Sequence, residues 1–538
     1  EAIALYEQVG PLREAKLGAE HADTLATWNN LGGAYRAAGR LGEAIALYER
    51  VRTAKVAKWG LEHPSTLTTL NNLALAYQTA GRLDEAIRLY EQVRAVKAAK
   101  LGADHPSTLT TLNNLAFAYQ AGGRLDEAIA LYEQVRNAQI KKLGADHPNT
   151  LTTLSNLALA HQTAGRVNEA VTLYNQVRAV QEAKLGADHP DTLTTLNNLA
   201  LAYQADGRNE EAITLLEQVR DAGVRKLGAD HPHTLSTMHN LAGIYQAAGR
   251  LHEAVALYEQ VHMVRAMKLG ADHPDTLTTL NNLAGAYQVV GQLEEAIALY
   301  EEVRMARTRK LGADHPDTLT TLNNLAGAYQ AAGRVSEAIV WFKEAAAGIE
   351  RHRFRHPQAA LIVHNTINVS EQAKDYACAE SWCRKWLDHI KGQVGSDHPS
   401  YVNELACLGV LLIKQSKWEQ AEAVLRDARA IWEKQREGNL SEPPWHYFNT
   451  LSLLGGAILG KARNLDAGSE QAVLLAEAEA LLVPGYEGVK MHAESAETDA
   501  ARSALQRLAA EALDRLIELY TLSGQADKLE KYRQLRSP

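Results

Sequence analysis

One pattern, L-N-N-L-A-x-A-Y-Q-x-A-G-R-x-x-E-A-I-x-L-Y-E-Q-V-R, returns every 42 residues between Trp28 and Asn324, most plainly from Leu70, Leu112, Leu196, Leu280 and Leu322. A period of about 20–50 residues marks a solenoid, in which one helical hairpin cannot bury its apolar face until a neighbouring copy covers it. A chain of 538 residues would otherwise suggest three or four ordinary domains; the repeats point instead to one elongated all-α array with a modified end. The functional question becomes what a long surface binds.

Within the copy from His63 to Gly102, Pro64 suits the first turn of a helix, where its missing N–H is harmless, and Ser65 and Thr66 favour the same turn. Leu67, Leu70, Leu73, Ala74 and Tyr77 then recur with a helical period and form one apolar stripe, which Gly81-Arg82 ends. A second helix follows almost at once, with Leu83, Ala86, Ile87, Tyr90 and Val93 as its buried stripe. Asp84 or Glu85 with Arg88, and Glu91 with Arg94, are expected to pair along its outer side. So short a turn forces the two helices antiparallel, and Ala74 and Ala86 allow a close approach. Asp104-His105-Pro106 and its equivalents at His147-Pro148, His189-Pro190, His231-Pro232, His273-Pro274 and His315-Pro316 punctuate the copies.

The spacing of Leu70, Leu73, Ala74, Tyr77, Ala86, Tyr90 and Val93 resembles the tetratricopeptide repeat, with the second helix and loop lengthened to give 42 residues. The subtype it resembles most is that of kinesin light chains. That family's leucine, asparagine pair, leucine and alanine stand here as Leu112-Asn113-Asn114-Leu115-Ala116, and its loop ending as Asp104-His105-Pro106. The match is strong over roughly residues 1–350 and weak over 350–436. The divergent tail is also similar to the C-terminal parts of large bacterial serine/threonine kinases, although the chain carries no kinase or nucleotide-binding motif. The resemblance implies a right-handed α-solenoid whose first helices line a concave groove, and cargo-peptide contacts at the asparagines of that groove.

The first helix is also informative for what it lacks: Pro64–Gly81 and Pro106–Gly122 contain no charged residue. On a helical wheel Thr68, Asn71, Asn72, Leu75 and Gln78 lie opposite the core stripe. Amides beside a few apolar side chains suit an extended peptide, because Asn and Gln both donate to and accept from main-chain groups. The candidate peptide-binding positions are Asn29, Asn71, Asn72, Asn113, Asn114, Asn156, Asn197, Asn198, Asn240, Asn281, Asn282, Asn323 and Asn324, with Gln78, Gln120 and Gln204. Asn365 is a weaker continuation, and the first asparagine of the pair lapses at Ser155 and His239. One position varies in blocks: Gly33, then Leu75, Phe117, Leu159 and Leu201, then Gly243, Gly285 and Gly327. Because a mid-helix Gly costs about 1 kcal/mol relative to Ala, an apolar binding strip near Phe117 is expected beside a deeper region near Gly285. The same ladder could instead solvate a surface or tie neighbouring helices together, and duplication copies residues whether or not they function.

Other chemistry finds little support. The repeated Asp-His pairs sit one copy apart, about 10 Å or more, too far to gather one metal ion, and read as loop and capping residues. Gly455 to Ala462 matches G-x-x-x-x-G-K, but Ala462 replaces the required hydroxyl and the segment reads as helix. No G-x-S-x-G or H-E-x-x-H occurs, so no catalytic residue, metal or cofactor is expected. The three cysteines, Cys378, Cys383 and Cys407, show neither zinc spacing nor a disulfide framework. A net charge of −8 argues against nucleic acid, the one dense basic stretch being Arg351 to His356. No apolar run approaches the ~18 residues that cross a bilayer, so no membrane contact and a cytoplasmic location are expected.

The repeat phase predicts that residues 1–22 are the second half of a copy, with more sequence before Glu1. Eight regular copies are expected over 23–355, two worn ones over 356–440, and degenerate hairpins with a cap over 441–538. In that last stretch Trp445–Gly460, Gln471–Leu482, Glu497–Leu522 and Gln525–Leu535 read as helices. Six of the eight tryptophans lie after residue 340 and suggest irregular core packing. The expected role is a non-catalytic scaffold binding a protein or extended peptide; a regulatory or sensor array of a larger kinase or NTPase, or a passive spacer, are the alternatives. The oligomeric state stays open.

Overall fold

The structure, a computed structural model, describes residues 2–439 and 443–536. Glu1 and the expected boundary at 440/441 lie outside them. Among the described residues are 25 α-helices and no strand. They fall into two compact bodies, Glu1–Ala359 and Ala360–Pro538.

The N-terminal body begins with α1 (Ala2–Leu17) and continues as eight helical hairpins. Repeat 1 is α2 (Ala22–Ala37) and α3 (Leu41–Trp59), repeat 2 α4 (Pro64–Thr79) and α5 (Leu83–Leu101), repeat 3 α6 (Pro106–Ala121) and α7 (Leu125–Leu143). Repeat 4 is α8 (Pro148–Thr163) and α9 (Val167–Leu185), repeat 5 α10 (Pro190–Ala205) and α11 (Asn209–Leu227), repeat 6 α12 (Pro232–Ala247) and α13 (Leu251–Leu269). Repeat 7 is α14 (Pro274–Val290) and α15 (Leu293–Leu311), and repeat 8 α16 (Pro316–Ala331) and α17 (Val335–Arg351).

From repeat 2 to repeat 8, each first helix starts at the His-Pro pair for a definable reason. Proline occupies the first helical turn, and the preceding histidine turns its own ring back as a cap. His63 Nδ1 accepts from the Ser65 N–H at 3.2 Å, and His105, His147, His189, His231, His273 and His315 do the same two residues on. The cap satisfies one of the donors that a helix start leaves without an intrahelical partner. Gly81, at φ 73°, ends α4 in the left-handed region.

The stripes expected of repeat 2 are where the core lies. Leu67, Leu70, Leu73, Ala74 and Tyr77 are buried, as are Ala86, Ile87, Tyr90 and Val93, while Leu83 is half-buried. Ala74 and Ala86 have no exposed surface at all. Successive repeats are tied by a polar bond that recurs 28 residues apart. Tyr77 donates its hydroxyl to Glu49 at 2.8 Å, Tyr119 to Glu91 at 2.7 Å, Tyr245 to Glu217 at 2.6 Å and Tyr329 to Glu301 at 2.6 Å. In six of the eight repeats the arginine after the turn stacks on the first helix's tyrosine, as Arg82 does on Tyr77 at 4.3 Å, and pairs with the glutamate three residues on. Repeat 4 has His161 in place of the tyrosine and repeat 7 Gln292 in place of the arginine.

That network corrects the expected surface pairs. Glu85 goes to Arg82 rather than forward to Arg88, and Glu91 is taken by the neighbour's Tyr119. Asp84 meets Arg355. Glu85 thus stays within its own repeat, while Glu91 and Asp84 find partners outside it. Close by, Thr79 O lies 3.3 Å from His315 Nε2, 236 residues away, and a Cβ on Gly81 would stand 2.7 Å from Pro316.

The C-terminal body holds α18 (Ala359–Gln372), which starts at the division, α19 (Tyr376–Val394), α20 (Pro399–Lys414), α21 (Trp418–Asn439), α22 (Trp445–Arg463), α23 (Ser469–Glu494), α24 (Asp499–Leu522) and α25 (Ala526–Gln534). The helix expected over Gln471–Leu482 ends twelve residues too early, since α23 runs through Pro484 to Glu494. Packing overrides the proline: Leu482, Tyr486 and Val489 are buried on both sides of it. The crossing of α22 and α23 is tight, for a Cβ on Gly488 would stand 2.1 Å from the Phe448 ring, and one on Gly485 2.7 Å from Ser452 N. Trp382, Trp386 and Trp432 are buried in this body.

Candidate functional site

The residues singled out on the first helices separate by burial. Asn281, Asn323 and Gln78 are buried. Asn29, Asn71, Asn72, Asn113, Asn114, Asn156, Asn197, Asn198, Asn240, Asn282, Asn324, Gln120, Gln204, Leu75 and Leu201 are half-buried. Phe117 and Leu159 stand out at 47% and 40% exposed.

Several of the amides hold repeats together. Asn29 Oδ1 accepts from Thr69 Oγ1 at 3.1 Å, and Asn113 Nδ2 donates to Thr153 Oγ1 at 3.2 Å. Asn240 Nδ2 donates to Asn197 Oδ1 at 3.1 Å, and Gln120 Nε2 to Thr163 Oγ1 at 3.2 Å. His239, where the asparagine pattern lapses, preserves the bond: its Nε2 lies 3.1 Å from Asn282 Nδ2. Burial pushes the His239 imidazole down to about 4, with the Arg265 charge adding to the effect, so the ring is neutral and able to accept.

The glycine block has a packing partner. A Cβ on Gly243 or Gly285 would lie 3.1 or 3.2 Å from the hydroxyl of Tyr258 or Tyr300, both of which remain buried. At the equivalent positions of repeats 2, 3 and 4, where Leu75, Phe117 and Leu159 stand, the hydroxyls of Tyr90, Tyr132 and Tyr174 are buried with no hydrogen-bond partner. Leaving a hydroxyl so costs about 1–3 kcal/mol.

Cavities lie elsewhere, between repeats. A cleft of about 290 Å³ opens between repeats 3 and 4, lined by Thr110, Asn113 and Asn114 of α6, Asn149, Thr152 and Asn156 of α8, and Gln139 of α7. Gln139 is 6% exposed, and its Oε1 is buried with no partner. At the rim Lys142 Nζ donates to Asp104 O at 3.0 Å. Phe117 and Leu159 follow one turn along the same helices. A second cavity, of about 100 Å³, lies beside Gly223 between repeats 5 and 6.

Sequence reasoning passed over the second-helix position that shapes both cavities. At 42-residue steps it reads Arg13, Lys55, Lys97, Gln139, Gln181, Gly223, Arg265, Arg307 and Ile349. Comparison of copies, the procedure that exposed the Gly/Leu/Phe position, would have found it had it been extended from the first helices to the second.

The other motifs resolve as structure. The Asp-His pairs divide, histidine capping its helix and aspartate meeting the second helix of the repeat it opens, as Asp146 does Lys184 and Asp314 Arg351. Lys461 of the G-x-x-x-x-G-K match lies in the last turn of α22 and pairs with Glu422 at 2.7 Å, and Gly460 is packed against the Trp418 ring. Cys378, Cys383 and Cys407 are free thiols, burial pushing that of Cys383 up. Among the described residues no group of three His, Cys, Asp or Glu side chains could hold a metal ion, and no helix is long and apolar enough to cross a membrane.

The tetratricopeptide repeat family model matches residues 1–55, 65–141, 107–183, 151–223, 191–266, 234–304 and 275–351. The chain is a tetratricopeptide repeat protein. Crystallised nearly identical TPR-like repeats of a Podosopora anserina protein assigned as a kinesin light chain are 45% identical to it, covering 38% of this chain and 98% of that one at a TM-score of 0.34. BtubC (BKLC) from P. vanneervenii is 20% identical, covering 43% and 92% at 0.34. A Rap protein crystallised with Competence and Sporulation Factor is 10% identical, covering 66% and 99% at 0.40. No curated protein sequence matched the chain. Tetratricopeptide repeat arrays are generally protein-interaction scaffolds.

Proposed function

We propose that this tetratricopeptide repeat protein is a non-catalytic scaffold that takes an extended peptide segment of a partner protein on the exposed side of its first helices, centred between repeats 3 and 4. One observation carries the reading: the exposed apolar pair Phe117 and Leu159 lies one turn from a cleft whose wall contains a buried amide oxygen without a partner, Gln139 Oε1. A main-chain N–H of an extended segment satisfies that acceptor, while its apolar side chains cover the strip. The covered tyrosine hydroxyls of repeats 2 to 4 support the same reading, because the Leu and Phe above them are retained at a cost in stability.

Peptides selected from a random displayed library on the intact chain test this. Burying the rest of the Phe117 ring contributes about 1–2 kcal/mol, so Phe117→Ala should weaken the selected peptides about tenfold. Val289→Ala, an exposed apolar change on α14, should leave them unaffected. Equal affinity for Phe117→Ala and the unaltered chain would refute the reading.

A further inference from the structure

The cavity beside Gly223 has a counterpart of known content elsewhere in the chain. In repeat 6 the equivalent residue is Arg265, 7% exposed, whose guanidinium donates to Asp275 O at 3.1 Å, Thr279 Oγ1 at 2.8 Å and Ser236 Oγ at 3.3 Å. In repeat 7 Arg307 repeats this with Asp317 O at 2.9 Å, Thr321 Oγ1 at 2.8 Å and Thr278 Oγ1 at 3.2 Å. Lys55 reaches the matching Ser65 O and Thr69 Oγ1, so a carboxylate at the position of Asp275 is not required. Moved back 42 residues, the three acceptors of Arg265 become His233 O, Thr237 Oγ1 and Thr194 Oγ1. All three residues line the cavity at Gly223, with the apolar walls Leu193 and Val219.

Glycine thus removes the side chain and keeps its receptor. Thr194 and Ser236, which flank the cavity on the first-helix side, are both exposed, so it is entered from the face that carries the candidate cleft. We propose that this cavity is a subsite for an arginine side chain of a bound peptide, its guanidinium taking the three oxygens that Arg265 and Arg307 take in their own repeats. The planar fork of donors matches a set of three acceptors that a lysine ammonium would meet less completely. A volume of about 100 Å³ admits the guanidinium and part of its stem. The subsite lies two repeats from the cleft at Gln139 and does not depend on it.

The test uses the intact chain with threonine methyl groups isotopically labelled, titrated with N-acetyl-Gly-Arg-Gly-amide and, in parallel, with the norleucine peptide. Saturable shifts of the Thr194, Thr234 and Thr237 methyls with the arginine peptide alone are expected. Gly223→Arg, which supplies the side chain from within, should abolish them without lowering the melting temperature, since repeats 6 and 7 accommodate the same residue. Thr237→Val should weaken the arginine peptide at least fivefold and tests the proposal even if Gly223→Arg fails to fold. Gln139→Lys should leave these shifts intact, separating the subsite from the cleft. Equal shifts with the norleucine peptide, no saturable shift with arginine, or shifts that persist in Gly223→Arg would each overturn it.

Discussion

The N-terminal body and the C-terminal body are both built of antiparallel helices, yet they fix neighbouring helices by different means. In the first, one kit is reused: a capping histidine, a tyrosine bonded to a glutamate of the previous repeat, and an arginine stacked on that tyrosine. In the second, the capping histidine survives at His398, and much of the packing is done by aromatic rings set against glycines, Trp418 on Gly460 and Phe448 on Gly488. Repetition makes duties separable, because a residue that varies while the kit stays constant is released from the stack. The second body offers less of this control, since only part of the kit, such as the cap at His398, recurs in it.

Mutations should expose the contrast, the largest effect coming from the shared core. Leu157, wholly buried in α8, should cost about 2–5 kcal/mol as Leu157→Ala. The loss should appear in urea unfolding as a separate early step, because a repeat array is stabilised locally; a single transition that merely shifts would contradict a nearest-neighbour array. Gly485→Ala should cost about 1–3 kcal/mol, as overpacking does, and hydrogen exchange should rise in α22 and α23 while α2 to α17 keep their protection. Protection lost equally in both bodies would remove the distinction.

A pH effect comes next. His239 has its folded value pushed down to about 4 from an unfolded value near 6.5, so the folded chain binds the proton less readily than the unfolded one. Its contribution is therefore fully present above pH ~6.5 and is lost as the pH falls towards 4. His239→Asn, which restores the residue of the other repeats, should gain about 3 kcal/mol on the parent between neutrality and pH 4. Arg265 and Asp275, the charges nearest the ring, are present in both chains. A stability difference independent of pH would show that His239 is not buried neutral. The smallest change is Tyr77→Phe, which removes the bond to Glu49 and should cost about 1 kcal/mol in thermal unfolding.

The hairpins, their boundaries and their core were legible in the sequence because helix period, His-Pro and Gly-Arg repeat in phase, and any copy checks the others. The helix expected to end at Leu482 continues through Pro484, since its neighbours' burial depends on a crossing with α22 that no local pattern announces. The asparagines' bonds to neighbouring repeats, such as Asn113 to Thr153 and Asn240 to Asn197, were illegible, because the partners lie 40 and 43 residues away and follow from the stacking register. The cavities were illegible for a related reason: each is set by a second-helix residue, Gln139 or Gly223, acting on the first helix of the next repeat.

Gln139→Lys provides the most direct test of peptide binding at the cleft. Lysine is the residue at this position in repeats 1 and 2, where Lys55 and Lys97 bond Thr69 and Thr111 at 2.9 and 3.0 Å, so the exchange should preserve the stack while closing the cleft and removing its free acceptor. Measured by calorimetry with a peptide selected on the unaltered chain, the affinity should fall at least about tenfold with no drop in melting temperature; an affinity within about twofold of the unaltered chain's would contradict binding there.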